Sequence, residues 1–158
     1  MERRVRTVDT EELLSTYREL LPQVESLPLV ISGNSMSPFL VHGRDTVYLS
    51  AVRRPLRVGD MVLYQRDSGA YILHRICALE GEDRYCIVGD AQTVLEHGIR
   101  RDQIFGIVRR VERKGKKQAP GTFWWEFFEK VWVRMIPLRP VVSRGYSVLT
   151  GKVRRKHI

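Results

Sequence analysis

The residues with the clearest capacity for chemistry lie in one turn. The segment Ile31-Ser32-Gly33-Asn34-Ser35-Met36-Ser37-Pro38 follows a β-type run and sets Ser35 between Gly33 and Pro38. Glycine before a hydroxyl and proline after it let the backbone turn sharply and expose the side chain. A nucleophilic serine needs that exposure, and so does an ordinary polar turn between strands, so this segment alone leaves both readings open. The other reactive side chains are few. The chain has two cysteines, Cys77 and Cys86, and four histidines, His42, His74, His97 and His157; every lysine lies at or beyond Lys114. Two cysteines are too few for a disulfide scaffold or a cysteine-rich zinc site. They flank an expected hairpin turn, where a bond is geometrically allowed, and read as small buried hydrophobes. No H-E-x-x-H spacing occurs, so neither metal nor cofactor is expected. His42 reads as a turn residue, His97 as solvated beside Glu96, and His157 as part of the tail.

The elements that must position these groups follow from the patterning of the 158 residues. Residues 9–22 (DTEELLSTYRELLP) predict a helix, capped by Asp9 or Thr10, with Leu13, Leu14, Tyr17, Leu20 and Leu21 as its apolar stripe and Pro22 as its stop. From Leu27 to Val111 six short β-type runs occur: LPLVI, DTVYL, DMVLY, AYILHRI, RYCIV and IFGIV. Turn chemistry separates them, and no helical period intervenes, which predicts a mainly β fold built on a small antiparallel domain. Residues 112–122 read as a polar, basic linker. FWWEFFEKVWVRMI at 123–136 holds all three tryptophans and predicts a helix with one narrow charged stripe, Glu126, Lys130 and Arg134. Three parts result: an N-terminal helix and link over 1–26, a β domain over 27–112, and a hydrophobic, basic helical extension over 113–158.

Taken in order, the boxes of the β region resemble a known superfamily, the one joining type I signal peptidases with self-cleaving SOS-repressor-type peptidases. Ser-Gly-Asn-Ser-Met-Ser-Pro at 32–38 resembles its nucleophile box. Gly43-Arg44-Asp45-Thr46-Val47 and Gly59-Asp60-Met61-Val62 look like its paired "G-D-x-V" segments. Tyr71-Ile72-Leu73-His74-Arg75-Ile76 is similar to the strand delivering the general base, Gly89-Asp90-Ala91-Gln92 to the late "G-D-N" box, and Gly106-Ile107-Val108 to the closing strand. The resemblance covers residues 28–111 and implies a peptidase-type β fold with serine endopeptidase activity. Ser35 is then the nucleophile, since it directly precedes Met36; Ser37 is an alternative by composition only. Most members use a neutral lysine as base, which the first 113 residues lack, so His74 places the chain with the Ser–His branch, whose base needs little pKa tuning. Asp90 is the implied orienter of the imidazole, and Glu96 is the second candidate acid. For the oxyanion the Ser35 N–H is the first donor, with Asn34 or Ser32 as additional candidates; the family's hydroxyl two residues earlier is replaced by Gly33. Gln92 stands where that box usually has Asn.

Charge is unevenly spread. Residues 1–108 hold 13 arginines against 15 acids, while residues 109–158 hold 14 basic residues against three glutamates. No run of about 20 apolar residues exists and no apolar h-region follows the basic residues of MERRVRTVDTEELL, so neither a spanning helix nor a signal peptide is expected, a departure from membrane-anchored signal peptidases. Aromatic residues beside lysine and arginine suit either an interfacial helix on an anionic membrane through residues 123–158 or a helix packed on the β domain. The expected location is cytoplasmic, peripheral on that face of the membrane. The expected partner is an extended peptide or precursor protein; nucleic acid is not expected, because no helix-turn-helix precedes the β region. The rival to the peptidase is a catalytically silent peptide-binding or membrane-docking β module.

Overall fold

A computed structural model describes the backbone of residues 10–149 and the side chains of 10–145. Asp9, His157 and the terminal KVRRKHI therefore lie outside the described residues. Helix α1 (Thr10–Leu20) carries Glu11 and Glu12 in its first turn and Arg18 in its last, charges matched to the helix dipole. Leu14 is its buried anchor. A 3-10 turn over Leu21–Gln23 follows and turns Leu21 fully inward, leaving Leu20 exposed where the apolar stripe placed it inside.

Eight strands follow: β1 (Leu27–Val30), β2 (Thr46–Ser50), β3 (Met61–Gln65), β4 (Tyr71–Leu79), β5 (Arg84–Val88), β6 (Glu96–Arg100), β7 (Ile104–Arg113) and β8 (Lys116–Gln118). They form one sheet in the order β1-β2-β7-β3-β4-β5-β6, with β8 added to β7, and every pairing is antiparallel. The six expected runs are all strands. Central β3 is buried on both faces. Met61 and Leu63 enter one apolar cluster with Leu14, Leu21, Phe39 and Leu49, while Val62 and Tyr64 enter another with Ile76, Ile87 and Ile107.

Two strands were not expected. β6 reads EHGIR, polar with an internal glycine, because it is an edge strand whose middle faces solvent. β8 arises because Lys114 and Gly115 both adopt positive φ (51° and 74°), making a two-residue hairpin turn that pairs Arg113 with Lys116. Residues 112–122 are thus in part a hairpin rather than a linker.

The aromatic extension is likewise not a detached element. Helix α2 (Phe123–Glu126) continues through a π turn (Phe127–Val131) and a 3-10 turn (Trp132–Arg134) before α3 (Arg139–Leu149). Trp125, Phe128 and Trp132 are buried in the same cluster as α1 and β2. Phe128 stacks on Phe39 at 4.7 Å between centroids, and Trp125 meets the same ring edge-on. Of the two readings of this segment, packing on the β domain is the one the structure displays. Phe123, Trp124 and Val131 stay exposed, and Lys130 is paired with Glu126 within the charged stripe. Among the described residues no helix is long and apolar enough to cross a membrane.

Truncating a buried aromatic side chain to alanine costs about 3–5 kcal/mol, against about 0.5 kcal/mol or less at an exposed site. Phe128→Ala is therefore expected to lower unfolding free energy in denaturant titrations by several kcal/mol, while Phe123→Ala leaves it nearly unchanged. Equal effects would show that the extension does not belong to the core.

Candidate active site

Ser35 sits in the loop between β1 and β2, whose base is closed by Ile31 N–H to Asp45 O (2.9 Å) and Gly43 N–H to Ile31 O (2.8 Å). Met36, Phe39 and Leu40 plug the loop into the core, and Gly33 takes a φ of 83°, as the sharp turn requires. Asp45 is fully buried and accepts hydrogen bonds from Arg44, from the Val41 N–H and from the Lys114 N–H. Burial acts to raise its pKa, but those hydrogen bonds together outweigh it and hold the carboxyl below the usual range. Half-buried Ser35 is thus carried on a rigidly anchored loop.

The loop is also tied from the other side. The Ser35 carbonyl accepts the Ala91 N–H at 2.9 Å, and Gly89 passes so close that a Cβ there would come within 2.5 Å of the Ser35 oxygen. The Gly89-Asp90-Ala91-Gln92 turn is held in turn by the extension. The Trp132 indole N–H donates to Asp90 O, and the Arg139 guanidinium donates to the carbonyls of Gly89 and Gln92, all at 2.9 Å. Arg139 also reaches Trp132 O and is 2% exposed. In the sequence Arg139 is one of many basic residues in a basic tail, and no local signal marks it as buried.

His74 projects from β4, opposite Val62 on β3, onto the same side of the sheet as Ile72 and Ile76. It shares a cavity of about 250 Å³ with Ser35, Ser32, Met36 and Gln92. The nucleophile and base implied by the sequence are therefore brought together from positions 39 residues apart. A second, larger cavity of about 660 Å³ lies beyond His74 and is lined by Arg66, Gln92, Val94, Leu95 and Glu96. His74, Arg66 and Gln92 border both cavities. Burial pushes the His74 pKa down to about 4, the Glu96 and Asp90 charges acting in the opposite sense. The imidazole is therefore neutral at pH 7 and ready to accept a proton. Its Nδ1 is buried without a hydrogen-bond partner, which leaves Nε2 to serve the cavity.

The acids are arranged differently from expectation. Asp90 is fully buried, but both of its carboxylate oxygens are taken by Arg75, at 2.8 and 2.9 Å, and Arg75 also donates to Gly59 O. The anticipated Asp90 bond to His74 is not formed. The reason lies in the strand period. Arg75 follows His74 and points to the opposite face, and it reaches the turn first with a bidentate fork that a lone imidazole cannot outcompete. Asp45 and Asp60 are engaged in the same way, by Arg44 and Arg54. The three "G-D" aspartates are each a buried anchor with its own arginine.

Glu96, the second candidate acid, stands nearer the chemistry. It opens β6, lines the larger cavity with His74, and accepts from the Tyr64 hydroxyl (2.7 Å) and twice from Arg66. It makes no hydrogen bond to His74, and its charge is the strongest influence favouring the imidazolium. Tyr64 sits edge-on to the imidazole with 6.4 Å between centroids. Tyr64 and Arg66 were not identified in the sequence because they become neighbours of Glu96 only through the β3–β4–β5–β6 pairings. For the oxyanion, the Ser35 N–H makes no hydrogen bond among the described residues and is free to donate. Ser32 lines the small cavity, whereas exposed Asn34 and half-buried Ser37 do not. No protein-family model matches the chain, and no curated protein matches it.

Two stability predictions come from this geometry. Removing one partner of a buried ion pair costs about 3–5 kcal/mol, so Asp90→Asn should destabilise the whole domain by that order in denaturant titration. A marginal effect would show that Arg75 and Asp90 are not the anchor described. For His74, the unfolded chain binds a proton below about pH 6.5 while the native imidazole does not until about pH 4. The unfolded state thus holds the extra proton in that window, and stability falls as the pH drops from about 6.5 to 4. In His74→Gln this part of the acid sensitivity should vanish. An unchanged slope between pH 7 and pH 5 would contradict a buried, neutral His74.

Proposed function

We propose that this protein is a serine endopeptidase of the signal-peptidase-like, Ser–His type. The observation that supports the reading most is that Ser35 and a neutral His74 line one small cavity. Ser35 Oγ attacks a peptide carbonyl while His74 Nε2 takes its proton; the developing oxyanion is met by the Ser35 N–H, with Ser32 beside it. The imidazolium then protonates the leaving amine, and water, deprotonated by the same nitrogen, hydrolyses the acyl-enzyme. Glu96 supplies the negative field that favours the imidazolium, with Tyr64 and Arg66 fixing its orientation. Asp90 acts one step back, as the anchor of the turn that holds Ser35.

The substrate is an extended peptide from a leader or precursor. β1 is an edge strand leading straight into the Ser35 loop, so a peptide added along it arrives at the nucleophile with its backbone hydrogen-bonded. One observation favours the silent binding module instead: no acid is hydrogen-bonded to His74, whose Nδ1 has no partner. Screening a peptide library separates the two readings. Ser35→Ala should abolish cleavage and leave the unfolding midpoint unchanged, and Ser37→Ala should keep most activity. Full activity in Ser35→Ala would remove the nucleophile assignment.

The part of the extension left outside the core, Phe123, Trp124 and Val131, is the surface we propose rests on an anionic membrane. Vesicle flotation should show salt-sensitive binding that a Phe123→Ser, Trp124→Ser variant loses while remaining folded. Full-length protein that stays unbound at low salt would exclude this surface role.

A further inference from the structure

Away from the Ser35 cavity, the β4–β5–β6 corner assembles a set of metal-type donors that no sequence spacing reveals. Donor atoms of Glu80, Cys86 and His97 all lie within 4.8 Å of one another. Cys77 adds a second thiol, its Sγ 3.3 Å from that of Cys86. The four residues come from three adjacent strands and the turn after β4: the donors of Glu80, Cys86 and His97 cluster, and Cys77 lies beside them against Cys86. The β4–β5 ladder shifts register between Ile76 and Ala78, at Cys77, and the β5–β6 ladder shifts between Tyr85 and Ile87, at Cys86. A bulge re-aims the side chain at which it occurs, and here consecutive bulges fall at the two cysteines whose sulfurs meet, with Cys86 Sγ reaching His97 and Glu80. Glu80 is already oriented: one carboxylate oxygen accepts the Gly98 N–H at 2.9 Å and the other contacts His97 Nδ1.

We propose that Cys77, Cys86, His97 and Glu80 form a binding site for a thiophilic divalent cation of the zinc class. Two sulfurs, an imidazole and a carboxylate are a four-donor set that suits tetrahedral zinc and does not suit magnesium or calcium, which take oxygen ligands. The distances fit. With metal–sulfur bonds of about 2.3 Å and metal–nitrogen or –oxygen bonds of about 2.0–2.2 Å, donors on a tetrahedral ion stand roughly 3.3–3.8 Å apart. The two sulfurs already have such a spacing; the Glu80, Cys86 and His97 donors close in by about an ångström, and the Cys77 side chain swings further to complete the set. On binding, both thiols release their protons to solvent and the thiolates, the carboxylate and a neutral imidazole take the ion. The site's role is structural. β6 is an edge strand whose neighbour in the sheet order is β5, and it carries Glu96 directly before His97. A bound ion pins that strand, and with it Glu96, to β4 and β5. This inference is independent of the peptidase reading.

Titrating the reduced, full-length protein with Co²⁺ and then displacing it with Zn²⁺ tests the site. One equivalent should give a near-ultraviolet thiolate-to-cobalt band with tetrahedral visible bands, abolished by Zn²⁺. His97→Ala, at an exposed position that is expected to fold, should weaken Zn²⁺ binding at least tenfold, and Cys86→Ser should remove the ultraviolet band. His157→Ala in the tail should change neither. Absence of a sulfur band, or affinity that His97→Ala leaves untouched, overturns the proposal: the first leaves the cysteines a simple thiol pair, and the second places the ion elsewhere.

Discussion

The buried pair of Arg75 and Asp90 is the constraint on which the rest of the molecule depends. Both side chains are almost completely removed from water, so each charge is tolerable only because the other is there, in bidentate contact, with Gly59 O taking a further guanidinium N–H. The pair locks β4 to the Gly89–Gln92 turn. That turn in turn fixes the Ser35 carbonyl through Ala91, while β4 presents His74 on its other face. Ser35 and His74 are thus referenced to the same anchor, one through a loop and one through a strand. A displaced anchor would move them independently.

The same turn explains why the extension cannot be separated from the β domain. Trp132 and Arg139 bind the three carbonyls of Gly89, Asp90 and Gln92, and a buried carbonyl without a partner is costly. The aromatic helix therefore has two duties, covering the apolar face around Phe39 and satisfying the back of the turn that carries the site. Trp125, Phe128 and Trp132, spaced by three and four residues, all face inward from one side of this helical stretch.

Strand content was legible because the β-type runs carry alternating or continuous apolar residues that only a sheet can bury. β6 and β8 were not legible: one is a polar edge, the other depends on a left-handed turn at a lysine. The order of the boxes singles out Ser35 and His74 together, and both line one cavity. Asp90 was legible as a special position but not in its partner. Sequence shows that Arg75 adjoins His74; it does not show that strand alternation sends Arg75 to the aspartate and leaves the imidazole alone. The cluster around Cys86 was invisible for a related reason, since bulges in two successive ladders create it.

The central claim is that Ser35 is a nucleophile served by His74. It is tested most directly by the rate of modification with a fluorophosphonate, followed by intact mass and by mapping the adduct. The account predicts one adduct, on Ser35, formed at a rate that declines only as the pH approaches the His74 pKa of about 4 and that collapses in His74→Gln. No adduct, an adduct on another residue, or a rate indifferent to His74 would contradict it.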